Sequence, residues 1–177
     1  MKKILTTIIS FIIFLILYFL QTNFFNWFNI YEIKPNLFVL LVLCIGLFAG
    51  RSMGSILGMI FGFLLDIFIG KNIGPTGIIL GIIGFAGGYL DKNFSKNSKL
   101  TIIIMCMAST AVYEILQYFI NIIGSGITIE IILFIKILLI EMLFNAILTI
   151  ILYPIIQKVG FYIEGEFKEK NILTRYF

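Results

Sequence analysis

The sequence predicts an all-α, polytopic membrane protein with six transmembrane helices, and two observations carry that prediction. Apolar stretches cover most of the 177 residues, and the positive charges collect almost entirely on one side of them. The composition agrees, because 60% of the residues are hydrophobic and 12% are charged, whereas a soluble domain is about one quarter charged. Lipid is therefore the expected solvent, and each polar residue inside a span needs a partner or a function.

The apolar stretches define the spans, which we place at residues 4–20, 37–50, 54–70, 74–90, 100–123 and about 131–156. A helix needs about 20 residues to cross the hydrocarbon core. The block 37–70 is interrupted only at Arg51, and as one helix it would be about 51 Å long. We therefore predict a hairpin of two short helices that turns near residues 50–54. A five-span arrangement, with part of this block re-entrant, is the alternative.

The lysines and arginines predict the orientation, because they are enriched in cytoplasmic connections. With the N-terminus inside, ten of the 13 lie on the inner side, the outer side holds only Lys34 and Lys71, and Lys136 lies within a span. Six spans with both termini in the cytoplasm follow, since five would place the basic tail outside. Lys2 and Lys3 precede a long apolar run without a small-residue cleavage site, which predicts an uncleaved anchor. Residues 1–177 are expected to form a single integral membrane domain.

Glycine is concentrated in the second, third and fourth spans, where 12 of the 16 glycines lie between residues 46 and 88. A spacing of four residues keeps side chains on nearly one face of a helix. Helix association in lipid depends on close backbone contact at small residues. We expect these spans to pack tightly, or, alternatively, to offer a groove to another protein's helix. The glycines on which this expectation rests are Gly46, Gly50, Gly54, Gly58, Gly62, Gly74 and Gly77.

The first outer connection is strongly aromatic, and Trp27 and Phe28 are its central residues. Aromatic side chains collect at the level of the lipid headgroups. The segment is therefore interpreted as an interfacial anchor or as a docking surface for a partner on the outer face.

Four ionisable residues lie inside the spans: Asp66, Glu114, Lys136 and Glu141. Each costs about 2.5–3.5 kcal/mol at the centre of a membrane helix, so we expect them to face the bundle interior or water. At about 1.5 Å per residue, Asp66 and Lys136 lie about 6–7.5 Å below the outer end, and the glutamates about 14–15 Å below it. We predict that Lys136 pairs with Asp66 or with one of the glutamates.

Polar side chains form a stripe on each of the last two spans, with the helical spacing that puts them on one face. Two such faces on consecutive helices predict a shared interior seam. Three interpretations stay open: hydrogen bonds that fix the packing, a cavity for a small ligand, and a path for protons or ions. The stripes consist of Thr110, Glu114, Gln117, Tyr118 and Asn121 in the fifth span and of Glu141, Asn145 and Thr149 in the sixth.

Several chemistries lack the residues that they need. The chain has no histidine and no glycine-rich phosphate loop ending in Lys-Ser/Thr, which argues against ATP hydrolysis and most acid–base or nucleophile-relay mechanisms. Cys44 and Cys106 without histidine do not indicate a metal site. We expect no enzymatic activity, no metal, no cofactor and no nucleic-acid partner.

The order of residues in the middle of the chain resembles a known family, the rod shape-determining protein MreD. Pro35-Asn36-Leu37 opens the second span, spaced glycines follow, Asp66 lies near the end of the third span, and Gly74 and Gly77 open the fourth. The resemblance implies a bacterial cytoplasmic membrane protein that scaffolds or regulates peptidoglycan synthesis during cell elongation. It implies binding to MreC, a single-span protein with a large extracytoplasmic domain. The wider assembly would include MreB, RodA and a class B penicillin-binding protein.

The implied six-helix fold is also similar to the substrate-binding subunits of energy-coupling-factor vitamin transporters. This similarity motivates a second hypothesis, in which the polar seam is the binding cavity of a vitamin-transporter subunit. The short outer connection before residue 131 offers little to cover a ligand, and it favours the scaffold.

Overall fold

A computed structural model describes residues 2–27, 31, 33–69, 74–91, 98–125 and 130–167, and these residues form six main helices. The all-helical prediction is confirmed for this part of the chain. The helices are α1 (Lys2–Phe19), α2 (Leu37–Ala49), α3 (Arg51–Ile69), α4 (Pro75–Leu90), α5 (Lys99–Ser125) and α6 (Ile131–Phe167). A π-helical segment, Leu20–Phe24, and one further helical turn, Phe25–Trp27, extend α1.

Within the described ranges, four segments are long and apolar enough to cross a membrane: Thr7–Trp27, Arg51–Ile69, Lys99–Gly124 and Ile131–Gly165. The other two helices have 13 and 16 residues, which gives lengths of about 20 and 24 Å. The hydrocarbon core is about 30 Å thick. Length and composition therefore support four spans, while α2 and α4 occupy the positions of the two remaining predicted ones.

The short helix α2 lies at the centre of the bundle and packs against each of the other five helices. Ten of its 13 residues are buried, as expected for a helix that is apolar on all sides. Its start is capped by Asn36, whose side-chain oxygen accepts a hydrogen bond from the Val39 N–H at 3.4 Å. It ends at Gly50, where φ is +94°, a conformation that favours glycine. Because protein rather than lipid surrounds α2, its length does not have to match the bilayer.

Backbone contact at glycines joins α2, α3 and α4. A Cβ atom added to Gly54 would lie 2.5 Å from the Gly84 carbonyl oxygen and 2.6 Å from the Gly46 Cα atom, so any side chain there would collide with two neighbouring helices. Further along the same pair, Gly62 lies against Gly77. Gly54 on α3 contacts Gly84 on α4, and Gly62, further along α3, contacts the earlier residue Gly77 on α4. The two helices are therefore antiparallel.

Two helix ends differ from the predicted ones. The first helix continues to Trp27 instead of ending near residue 20, because polar side chains bond to the carbonyl groups that the widened turn exposes. Thr22 Oγ1 donates to the Tyr18 carbonyl at 2.8 Å, and Asn23 Nδ2 donates to the Phe19 carbonyl at 3.0 Å.

The last helix passes through Pro154 and reaches Phe167 instead of ending near residue 156. A proline removes one helical hydrogen bond, and membrane helices tolerate that loss when neighbouring groups compensate for it. Other parts of the prediction, including Phe28, Lys71 and the tail 168–177, lie outside the described residues.

The contact between α3 and α4 makes the effect of substitutions at Gly58 predictable. A Cβ atom at Gly58 would lie 2.5 Å from the carbonyl oxygen of Leu80 and 2.9 Å from its carbonyl carbon. We expect Gly58→Ala to lower the free energy of unfolding by about 1–3 kcal/mol and Gly58→Leu to lower it further. Thermal unfolding in detergent measures both. Gly165→Ala is the control, since a Cβ atom there meets nothing within 4 Å. Equal melting temperatures for Gly58→Ala and Gly165→Ala would contradict the packing.

Candidate functional site

A polar cavity of about 260 Å³ opens at the end of the bundle where α1, α3 and α5 end and α2, α4 and α6 begin. This is the predicted outer end. Asn121 is exposed and Glu141 is 6% exposed, so the cavity runs from the surface into the bundle. Its lining consists of Gln21, Lys34, Pro35, Asn36, Asp66, Ile69, Thr76, Tyr113, Glu114, Gln117, Asn121 and Glu141.

Asp66 ties the end of α3 to the start of α4. Its Oδ2 atom accepts hydrogen bonds from the Gly74 N–H at 2.8 Å and from the Thr76 N–H at 3.2 Å. The first N–H groups of a helix have no partner inside the helix, and a carboxylate there is stabilised by the helix dipole. Gly74 has φ of +121°, which allows the chain to turn into α4 beneath the carboxylate. Asp66 thus holds the cavity wall through the backbone.

Glu114 on α5 and Glu141 on α6 both line the cavity, close enough for their carboxyl groups to interact electrostatically. Two acceptor atoms in this region, Glu141 Oε1 and Gln117 Oε1, are buried and have no hydrogen-bond partner among the described residues. A buried acceptor without a donor costs about 1–3 kcal/mol. The buried part of the cavity therefore contains hydrogen-bond acceptors that have no donor among the described residues.

Asn145 lies one helical turn deeper than Glu141 and joins three parts of the bundle. Its Oδ1 atom accepts from the Asn36 N–H at 2.9 Å, and its Nδ2 atom donates to Thr110 Oγ1 at 2.8 Å. Thr149 Oγ1 donates to the Asn145 carbonyl at 2.7 Å. The deeper part of the polar seam is thus closed by hydrogen bonds that Asn145 makes with Asn36 and Thr110, and the part nearer the surface opens into the cavity.

The predicted pairing of Lys136 with a carboxylate is wrong. Lys136 is exposed on α6, and its ammonium nitrogen lies 3.9 Å from the centre of the Tyr31 ring. Within the part of the chain that the structure describes, no ion pair links it to Asp66, Glu114 or Glu141. The physical reason is that Lys136 lies about 140° around the helix from Glu141, and its cation interacts with an aromatic face instead.

The glycines named from the sequence have different surroundings. Gly54, Gly58, Gly62 and Gly77 lie at helix contacts within the chain. Gly50, with φ of +94°, forms the turn between α2 and α3 and meets nothing within 4 Å. The aromatic Trp27 is 89% exposed, and Phe28 lies outside the described residues.

Seven cavity residues were not predicted as site residues from the sequence, and five of them are polar: Gln21, Lys34, Asn36, Thr76 and Tyr113. Gln21 and Asn36 stand at the edges of apolar runs, where polar residues usually face water. In the structure, Gln21 Oε1 accepts from the Leu37 N–H at 3.0 Å, which fixes α1 against the start of α2. Tyr113 directly precedes Glu114 in the sequence, and that position was the available signal. The polar stripe does not show how α5 is rotated about its own axis, so it did not indicate that Tyr113 also lines the cavity.

Among the described residues, no three His, Cys, Asp or Glu side chains are grouped closely enough to hold a metal ion. The structure and its site therefore define a class: an all-helical protein with apolar helices of membrane-spanning length and a polar cavity at one end of the bundle.

The family model of the rod shape-determining protein MreD matches residues 1–161, and the chain belongs to this family. It is thus a rod shape-determining membrane protein. No curated protein and no solved structure matches the chain. The vitamin-transporter hypothesis receives no support from these comparisons.

The contacts of Asp66 predict the effect of its replacement. Asp66→Leu removes two hydrogen bonds to a charged acceptor, and we expect it to lower the free energy of unfolding by about 2–4 kcal/mol. Asp66→Asn keeps a carbonyl acceptor and should cost about half as much. Hydrogen exchange at the Gly74 and Thr76 amides measures the local effect. Glu130→Gln, at an exposed residue of the same end, is the control. Unchanged exchange in Asp66→Leu would refute the assignment.

The hydrogen bond between Asn145 and Thr110 predicts a coupling free energy of about 0.5–1.5 kcal/mol in a double-mutant cycle of Asn145→Ala and Thr110→Val. Unfolding in detergent or bicelles measures it. The control cycle combines Thr110→Val with Thr22→Val, since Thr22 is exposed and bonds within α1. That pair should be additive within about 0.5 kcal/mol. Additivity in both cycles would show that the seam contributes no specific pairing.

Proposed function

We propose that this chain is a non-enzymatic scaffold and regulator of the bacterial cell-elongation complex. In this proposal it crosses the cytoplasmic membrane six times with both termini inside, and it binds the single span of MreC. Through MreC it would join MreB, RodA and a class B penicillin-binding protein. The observation that carries the proposal is the family match over residues 1–161, together with an apolar groove on the outside of the helix bundle.

The groove lies between α3 and α4 and has a volume of about 280 Å³. Small residues in membrane helices allow a partner's backbone to approach closely, and Ser55 and Gly81 supply them here. Met59 adapts its shape readily to a partner. The groove is lined by Ser55, Met59, Ile78, Gly81, Ile82 and Phe85.

Gly81 differs from the other glycines of the central helices. A Cβ atom on Gly54 or Gly58 would strike the backbone of a neighbouring helix, so those positions are already used for packing within the chain. A Cβ atom on Gly81 would meet the Cγ atom of Met59 at 2.6 Å and the Ser55 carbonyl only at 3.5 Å. Since Met59 has a flexible side chain and is 38% exposed, its movement would open the groove and make Gly81 accessible to a partner.

Two cation–aromatic contacts support the proposed orientation. Arg51 Cζ lies 4.6 Å from the centre of the Tyr89 ring, and Lys99 Nζ lies 5.9 Å from that of Tyr153. All four residues belong to the end of the bundle opposite the cavity. Tyrosines and basic residues are typical of membrane interfaces, and basic residues are enriched on the cytoplasmic side. These contacts are consistent with a cytoplasmic location of this end of the bundle, as the excess of lysine and arginine there predicts.

Site-specific photocrosslinking tests the partner and the surface together. Phe85 in the groove is replaced by benzoylphenylalanine, and the membranes are illuminated before the chain is purified and its adducts are identified by mass spectrometry. We expect a crosslink to the single-span segment of MreC, because Phe85 is 50% exposed and lines the groove.

Phe119 on α5 is the matched control, since it is 56% exposed and lies outside the groove. Its replacement should give adducts with lipid and none with MreC. A crosslink to MreC from Phe119 alone would move the partner surface to α5. If neither position crosslinks to MreC in membranes that contain MreC, the proposed groove is refuted.

A further inference from the structure

The polar cavity at the outer end has a chemical bias that the scaffold function does not use. The buried atoms that lack partners there, Glu141 Oε1 and Gln117 Oε1, are both acceptors. Glu114 adds a second carboxyl group to the lining beside that of Glu141. The donors of the surrounding backbone are taken, because Gly74 and Thr76 bond to Asp66. An occupant that satisfies these atoms must donate hydrogen bonds.

The charges of the lining point in the same direction. The lining contains three carboxyl side chains, Asp66, Glu114 and Glu141, and one cation, Lys34. Two carboxylates close together repel each other when both are ionised, and a positive charge between them removes that repulsion. Glu141 is 6% exposed, so water screens this charge poorly and a bound cation gains correspondingly more.

The cavity is large enough for an organic cation. About 260 Å³ is many times the volume of about 10–15 Å³ that one water molecule needs on the same measure. The acceptors also lie on two helices, α5 and α6, which suits a group with several donors that diverge. An ammonium group has three such donors and a guanidinium group has five.

We propose that this cavity binds a cationic ammonium or guanidinium group, held by Glu114, Gln117 and Glu141 and entering from the outer face. The group belongs either to a free small amine or to a lysine or arginine side chain of a partner protein. In both cases the recognition chemistry is the same, and the site is separate from the groove proposed for the partner span.

Binding of a small probe to the full-length chain in lipid nanodiscs tests this proposal. The probes are n-butylammonium and methylguanidinium, and n-butanol is the uncharged control; saturation-transfer NMR detects each of them. We expect both cations to bind below about 10 mM and butanol not to bind in the cavity. Glu141→Gln should weaken binding of the cations at least about tenfold, because a charged hydrogen bond is lost.

Matched variants keep the test informative if one of them fails to fold. Glu130→Gln removes a carboxylate from the same end, outside the cavity, and should leave binding unchanged. Gln117→Leu removes an acceptor without changing the charge and should also weaken binding. Size-exclusion profiles and melting temperatures show which variants fold. Absence of cation binding to the wild-type chain, or equal binding by Glu141→Gln, would overturn the proposal.

Lys34 is the competing internal occupant, because it lines the cavity and carries the same chemical group. If only Lys34→Gln binds the probes, the cavity is filled by the chain's own lysine and the proposal is wrong. The source of an external cation follows from the complex purified from native membranes. Loss of probe binding in the complex identifies a partner side chain, and retained binding identifies a free amine. Neither result depends on the photocrosslinking test of the groove.

Discussion

Close contact between helix backbones at Gly46, Gly54 and Gly84 is the constraint on which the rest of the structure depends. Lipid gives helices little hydrophobic reason to associate, so contact area at short distance has to supply it. Here α2, α3 and α4 each have a glycine at the same contact, and without side chains between them their backbones touch. The short α2 can then be buried among the other helices, where the thickness of the bilayer places no demand on it.

The position of the cavity follows from that arrangement. Helices α5 and α6 pack against the helices that the glycines join. The hydrogen bonds of Asn145 with Asn36 and Thr110 close the deeper end of the polar seam. Above these bonds the helices no longer fill the space between them, and Glu114 and Glu141 face the gap. The carboxylate of Asp66 holds the opposite wall by bonding to backbone rather than to a cation.

The sequence predicted the features that depend on periodicity, and it missed those that depend on local geometry. Glycines four residues apart and polar residues on one helix face can be read directly, because helical spacing maps them onto a surface. The extension of α1 to Trp27 depends on two side chains that bond to carbonyl groups, which no pattern of hydropathy encodes. The prediction for Lys136 was wrong because it compared only the depths of the residues along their helices. It did not consider the side of α6 on which Lys136 lies, and its ammonium group contacts the Tyr31 ring.

The continuity of α6 gives the molecule a mechanical link between its two ends. The helix has 37 residues and a length of about 55 Å, well beyond the hydrocarbon core of about 30 Å. The stretch from Glu141 to Gly165 is about 36 Å long, so that a tilt of about 10° of the straight helix would displace the far end by about 6 Å. Pro154 lies within this stretch, and helices bend where proline interrupts their hydrogen bonds. The displacement that reaches the opposite end therefore depends on how far the helix bends at Pro154.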